Sequence, residues 1–258
     1  MSDCVSVPVV PAPRRWVLAL TSRTASMVLP LEMGWRHLLF ESWPVDPATL
    51  DAHRPGTLSP DLHDGSAWLS IVPFINVAVR PRGLPRSLGV RLPEINVRTY
   101  VSREAVPSVY FFSLDAQGVA SVVGGRLFHH LPYYYARVSL ELTDGRVSFD
   151  SRRRHPGARP ARYAATYWSS GAPFESTTDP LAEFLVERYR FYTEAPDGAL
   201  CYTDVDHDSW TLYPAGATVH TDTLLRADGF ARPDAEPVYY YSPGLDVVAS
   251  RSRRAGGG

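Results

Sequence analysis

Not one lysine occurs among the 258 residues, so the 26 basic side chains are all arginine. The chain therefore has no side-chain amine to form a Schiff base, to shuttle a proton as an ammonium group, or to anchor a phosphate. Cysteine is nearly as scarce. Only Cys4 and Cys201 occur, which excludes a disulfide framework and suits a reducing compartment. Apolar runs stay short of the ~20 residues that a membrane helix needs. The stretch Arg14-Arg15-WVLALTS has a basic start and an apolar body, but Arg23 interrupts it and no clean small-residue cleavage site follows. A secretion signal is thus disfavoured, and the cytoplasm is the expected location. No G-x-S-x-G, Walker A, G-x-G-x-x-G or H-E-x-x-H pattern is present, which removes the main support for hydrolase, nucleotide-binding and zincin readings.

The net charge of −1, with arginines spread along the chain apart from Arg152–Arg154 and the C-terminal group Arg251, Arg253 and Arg254, gives no basic stripe for nucleic acid. With 45% hydrophobic and 21% charged residues, a packed core is expected. We read residues 14–250 as one domain, with untethered tails at 1–13 and 251–258. Punctuation by 23 prolines and 18 glycines suits many strands joined by turns. Segments rich in aromatic and β-branched residues predict strands at Leu38–Val45, Ala67–Val79, Glu94–Val101, Val109–Leu114, Tyr133–Leu142, Val147–Arg153, Arg162–Trp168, Tyr189–Glu194, Leu200–Asp206, Val238–Ser242 and Val247–Ser250. Asp144-Gly145 is a hairpin signal between two of them. Short helices are expected at Pro47–Ala52, Ala116–Leu127 and Pro180–Val186, the last with Asp179 as N-cap. The fold class is mainly β (α+β), antiparallel, with few helices.

In PEINVRTYV, alternation puts Glu94, Asn96, Arg98 and Tyr100 on one face and Ile95, Val97, Thr99 and Val101 on the other. The polar face is either the solvent side of a half-buried strand or the lining of a closed barrel, where such groups would form a binding site. In the next polar strand, Tyr133, Tyr135 and Arg137 share a face opposite to Tyr134, Ala136 and Val138. Tyr133 can donate a hydrogen bond or act as a general acid, although aromatic packing explains it equally well. His129 and His130, adjacent on extended chain, point apart and would not chelate one metal together; no metal site and no cofactor is expected. Asp206-His207-Asp208 reads as a solvated turn.

The segments WRHLLFESWPVDP, DGSAWLSIVPF, PEINVRTYV, VYFFSLDA, FHHLPYYYARV, FLVERYRFY and SPGLDVV, in this order over about 35–250, together resemble the YqjF-like family, DUF2071. That family is similar in structure to the acetoacetate decarboxylase superfamily, and the resemblance implies an antiparallel β-barrel or cone with a central cavity. The superfamily's catalytic segment reads approximately Gly-Arg-Glu, a spacer, then Pro-Lys-Lys. Here Gly125, Arg126 and Pro132 match, Leu127 replaces the glutamate, and Tyr133 and Tyr134 stand where the lysines would be. Glu94 is the candidate for the superfamily's cavity glutamate. The resemblance favours the interior for Glu94, Asn96 and Arg98, with Arg98 or Arg126 holding a carboxylate.

Two functions are weighed. One is a cavity that binds a small organic acid or carbonyl compound without imine chemistry, using Asn96, Arg98, Arg126 and Tyr100. The other is a lysine-independent acid–base enzyme, such as a lyase, hydratase or isomerase, using Glu94, Tyr133 and His129 or His130. A partner-binding role has only the aromatic content behind it, which a core explains as well. Neither nucleic acid nor membrane is expected as a partner, and a homo-oligomer is compatible with the sequence.

Overall fold

The computed structural model describes residues 30–118, 122, 125–126 and 129–256; the expected tail 1–13 and residues 14–29 of the expected domain lie outside them. One sheet contains β1 (Leu31–Val45), β2 (Ser59–Pro60), β3 (Ala67–Pro81), β4 (Val90–Arg103), β5 (Val106–Ala116), β6 (Tyr133–Thr143), β7 (Arg146–Arg153), β8 (Arg162–Ser169), β9 (Phe174–Glu175), β10 (Arg190–Glu194), β11 (Leu200–His207), β12 (Thr211–Asp222), β13 (Val238–Ala249) and β14 (Arg253–Arg254). The α-helices that lie wholly within the described residues are short: α1 (Ala48–Asp51), α2 (Pro180–Val186) and α3 (Leu224–Ala227). None among the described residues is long and apolar enough to cross a membrane.

Pairing is antiparallel except at β5, which runs parallel to β10 at Val109–Tyr110 and parallel to β6 at Leu114–Ala116. The change of partner coincides with a bulge, since Val97 faces Ser113 while Arg98 faces Phe111, so Phe112 is extra. These pairings close two rings. β13, β1, β3, β4 and β5 are common to both; β10 and β11 complete a seven-stranded ring, and β6, β7, β8 and β12 a nine-stranded one.

The shared wall is buried on both faces. Ala67, Leu69 and Ile71 of β3 join Leu39, Trp43, Ile95, Val97, Ala136, Val138 and Tyr163 inside the nine-stranded ring. Trp68, Val72 and Phe74 of the same strand pack with Phe40, Tyr100, Trp210 and the α2 residues Ala182, Leu185 and Val186 inside the seven-stranded ring. This double burial is why β3 reads as a nearly continuous apolar run rather than as alternation. Asp179 caps α2 by accepting the Ala182 N–H at 2.8 Å, and Pro180 opens it. Asp144 and Gly145, with φ of 50° and 74°, form the turn between β6 and β7.

Several expectations need correction. Residues 251–256 are not an untethered tail: Arg253 and Arg254 pair with Tyr202 and Cys201 of β11, and Arg254 bonds Asp197 at 2.6 Å. The backbone of this segment satisfies an otherwise open strand edge. β12 was not expected, because Pro214 and Gly216 break its pattern, and the two strands expected at 238–250 are one. Of the helix expected over Ala116–Leu127, Ala116 belongs to β5, Val122, Gly125 and Arg126 are helical, and 119–121, 123–124 and 127 lie outside the described residues.

Gly244 pairs with Arg36 on the strand contact common to both rings, has φ +118°, and would place an added Cβ 1.9 Å from the Trp35 carbonyl oxygen. Gly244→Ala should therefore cost roughly 2–3 kcal/mol, read as a lower urea midpoint at unchanged slope.

Candidate functional site

β4 projects Glu94, Asn96, Arg98 and Tyr100 toward the seven-stranded side, opposite Ile95 and Val97, which belong to the nine-stranded core. Glu94, Asn96 and Tyr100 are buried and Arg98 is half-buried, so this face is not a solvent side. The Tyr133 hydroxyl donates to Glu94 Oε2 at 2.8 Å, and Asn76 Nδ2 donates to the same oxygen at 3.1 Å. Burial pushes the Glu94 carboxyl up to about 7, against the lowering effect of those two hydrogen bonds. The Tyr133 hydroxyl is pushed well above its ordinary value by burial and by the Glu94 charge. The pair is a carboxyl group that exchanges its proton near neutrality, held by a phenol that keeps its own. A Cβ on Gly125 would sit 2.4 Å from the Tyr133 ring, so the glycine lets the 125–126 segment lie directly over it.

Asn96 is 4% exposed, and its buried Oδ1 has no hydrogen-bond partner among the described residues. Arg98 donates from Nη2 to the Leu185 carbonyl at the end of α2 (3.1 Å) and more weakly to the Tyr100 hydroxyl (3.5 Å). Its guanidinium lies over the Phe40 ring at 5.3 Å, while its buried Nε has no partner among the described residues. Among the described residues no carboxylate pairs with it. Tyr100 is fully buried, and Ser70 Oγ lies 2.8 Å from its hydroxyl, which places it in the packed core rather than open to a ligand.

The two histidines go to different places. His129 is 5% exposed; its Nδ1 lies 3.3 Å from Thr203 Oγ1, and its carbonyl accepts from Thr193 Oγ1 at 3.0 Å, so β10 and β11 hold it inside the seven-stranded ring. Burial and the neighbouring His130 lower it to about 4, and its buried Nε2 has no partner among the described residues. It is a neutral imidazole. His130, with φ 54°, instead lines a recess of about 370 Å³ with His53, Tyr110, Tyr134 and Asp228. Arg126 is exposed and does not join Glu94: its Nη1 lies 3.3 Å from His155 Nε2, and its guanidinium lies 5.9 Å from the Tyr134 ring. Tyr134 also stacks on Arg153 at 4.1 Å, on the opposite side of β6 from Tyr133.

Asn76 is not among the residues expected at the site. It interrupts the apolar run of β3, two residues beyond Phe74, which pairs with Glu94. A lone amide inside such a run is the available signal. Together, the seven-stranded interior offers a titrating carboxyl, an unpaired guanidinium, a free amide oxygen and a neutral imidazole. Such a set can bind and orient a small polar molecule and can hold a proton, but it has no amine.

The DUF2071 family, described as an uncharacterized conserved protein, matches residues 32–246. The uncharacterized protein YqjF of Bacillus subtilis (strain 168) is 39% identical over 219 residues, covering 84% of this chain and 89% of that protein. Among solved structures, the enduracididine biosynthesis enzyme MppR complexed with pyruvate superposes with a TM-score of 0.62 at 14% identity, covering 89% of this chain and 91% of that one. The acetoacetate decarboxylase of Legionella pneumophila gives a TM-score of 0.60 at 15% identity over 96% of this chain and 92% of that one. An acetoacetate decarboxylase-like enzyme from Sphingomonas wittichii RW1 gives 0.62 at 13% identity, covering 89% and 94%. These likenesses show the acetoacetate decarboxylase-like fold.

Because the Glu94 carboxyl titrates near 7 when folded and near 4.5 when unfolded, the folded state holds its proton more tightly. Its stabilising contribution is complete below about pH 4.5 and is lost as pH rises through about 7. Glu94→Gln should flatten the fall in stability across that window by on the order of 3 kcal/mol, measured by urea unfolding at stepped pH. An unchanged slope would show that Glu94 titrates normally.

Proposed function

The chain belongs to the DUF2071 family, and we propose that it binds a small organic acid or carbonyl compound inside the seven-stranded ring, without imine chemistry. The observation that carries this reading is Arg98, a guanidinium turned into the ring with, among the described residues, no partner for its Nε and no acid paired with it. A ligand carboxylate would supply the missing charge and accept from the free N–H groups. Glu94, protonated below about 7, and Tyr133 stand on the same side to position a second oxygen. The fold neighbour MppR is complexed with pyruvate, a keto acid, which supports the same ligand class. With tyrosines at 133 and 134 and no lysine anywhere, Schiff-base decarboxylation is absent from this reading. The site needs no cofactor, nucleic acid or membrane, and the reading places the protein in the cytoplasm, where small acids are abundant.

A second reading is supported by the Glu94–Tyr133 pair itself. A carboxyl titrating near neutrality and held by a phenol is suited to proton transfer, and a neutral His129 faces the same ring from β10 and β11, so a hydratase, isomerase or lyase step on the same acid fits these groups.

Pyruvate and lactate should raise the melting temperature, by the equivalent of about 2.7 kcal/mol at a hundredfold excess over Kd, whereas uncharged alcohols should not. Arg98→Met should abolish that response; no stabilisation of a well-folded protein by any keto or hydroxy acid would sink the proposal. Borohydride with pyruvate should label no side chain, the α-amino group being the only primary amine. The enzymatic reading expects turnover that disappears in Glu94→Gln while acid binding persists.

A further inference from the structure

We propose that the nine-stranded ring holds a second site, between β12 and β13, for a small organic ammonium ion that also carries a hydroxyl or carbonyl oxygen. β12 meets β13 only through Tyr213–Tyr241 and Pro214–Tyr240, and then leaves it for β8. The inward-facing Ala215, Ala217, Val219, Tyr239 and Tyr241 pack on the ring's core yet remain only half-buried. Solvent therefore reaches the inner face where the two strands part.

Behind this opening lies Glu41 of β1, only 1% exposed. It accepts hydrogen bonds from the Tyr163 hydroxyl at 2.7 Å and the Tyr239 hydroxyl at 3.4 Å, and among the described residues no ion pair neutralises it. Asp222, at the end of β12, adds a second negative group. Burial raises both carboxyls, Glu41 to about 7, with Asp222 contributing to the rise. The nearest opposing charge, Arg232, is exposed and lies over the Trp43 ring at 6.0 Å. Arg232 lowers both acids, but burial outweighs it and among the described residues neither acid makes an ion pair, so a cation in direct contact is what the pair lacks.

The walls suit an organic cation. The Tyr241 ring lies 6.2 Å from Tyr213, 6.4 Å from Tyr167 and 6.5 Å from His37, a group of aromatic rings of the kind that receives alkylammonium groups. His37 is fixed there with φ 56°: Tyr167 donates to its carbonyl at 2.7 Å, and its Nδ1 lies 3.0 Å from the Tyr241 hydroxyl. A non-glycine residue in that conformation persists only where its surroundings enforce it. Independently, Trp43 Nε1, fully buried and two residues from Glu41 on the same face of β1, has no hydrogen-bond partner among the described residues. That donor calls for an acceptor oxygen on the ligand.

Ethanolammonium and its uncharged analogue ethylene glycol are the probes, compared by calorimetry on the full chain. Ethanolammonium should bind and glycol should not. Affinity should rise about tenfold from about pH 6 to about pH 8 as Glu41 loses its proton. The groups around Glu41 that set this profile are His37 on β1, Tyr163 and Tyr167 on β8, Asp222 on β12, Tyr239 and Tyr241 on β13, and Arg232 and Glu236 in the preceding loop. Glu41→Gln should abolish binding, and Tyr239→Phe, at a half-buried position, should weaken it severalfold with the fold intact by circular dichroism. Equal response to both probes, no response from folded protein, or binding retained in Glu41→Gln would overturn the proposal.

Discussion

Because β1, β3 and β4 bury both of their faces, a polar side chain on this wall cannot relieve its charge in water and must find a partner inside one ring or the other. Most do: Ser42 and Ser70 meet at 2.7 Å, and the Thr99 hydroxyl donates to the Trp68 carbonyl at 2.7 Å. Three ionisable groups, Glu41, Glu94 and Arg98, stand out by lacking a counter-charge among the described residues. Glu41 lies in register with Ile71 and Val97, and Arg98 follows Val97 on the opposite face. The wall thus presents the acid Glu41 to the nine-stranded compartment and, to the seven-stranded one, both the acid Glu94 and the base Arg98.

The exclusive use of arginine fits a molecule with so much buried charge. Arg153 is 6% exposed, bonds Asp115 at 2.7 Å, approaches Asp228 at 3.6 Å and lies 4.1 Å over the Tyr134 ring. Arg188 pairs with Asp61 and stacks on Phe184 at 4.4 Å. A planar, delocalised guanidinium can serve carboxylates at its edge and a ring on its face at once, whereas a compact ammonium cannot. The chain's arginines therefore act as internal connectors as well as surface charges.

How much was legible follows from which signals are local. Alternation in β4 and β6 correctly separates Glu94, Asn96 and Arg98 from Ile95 and Val97, and Tyr133 from Tyr134, because side-chain period is a property of the strand itself. It cannot say that both faces are covered, since that depends on β5 changing partners. Arg126 and His130 fall beside the wrong compartment because the segment before β6 turns there, His130 taking φ 54°. β12 is hidden by Pro214 and Gly216, and the C-terminal pairing is made by backbone, which composition does not report. Glu41 carries a local signal: an acid sharing a face with Leu39 and Trp43 in the segment Leu38–Val45, whose only other polar residue is Ser42.

β5 gives its first half to β10 and its second half to β6 along a single edge, with the bulge at Phe112 marking the transfer. Neither ring owns that strand, and the same holds for the four others they share. Removing either ring strips the apolar cover from one face of the other's wall. The two compartments are therefore chemically distinct but thermodynamically one object, expected to melt in a single cooperative transition rather than as two domains.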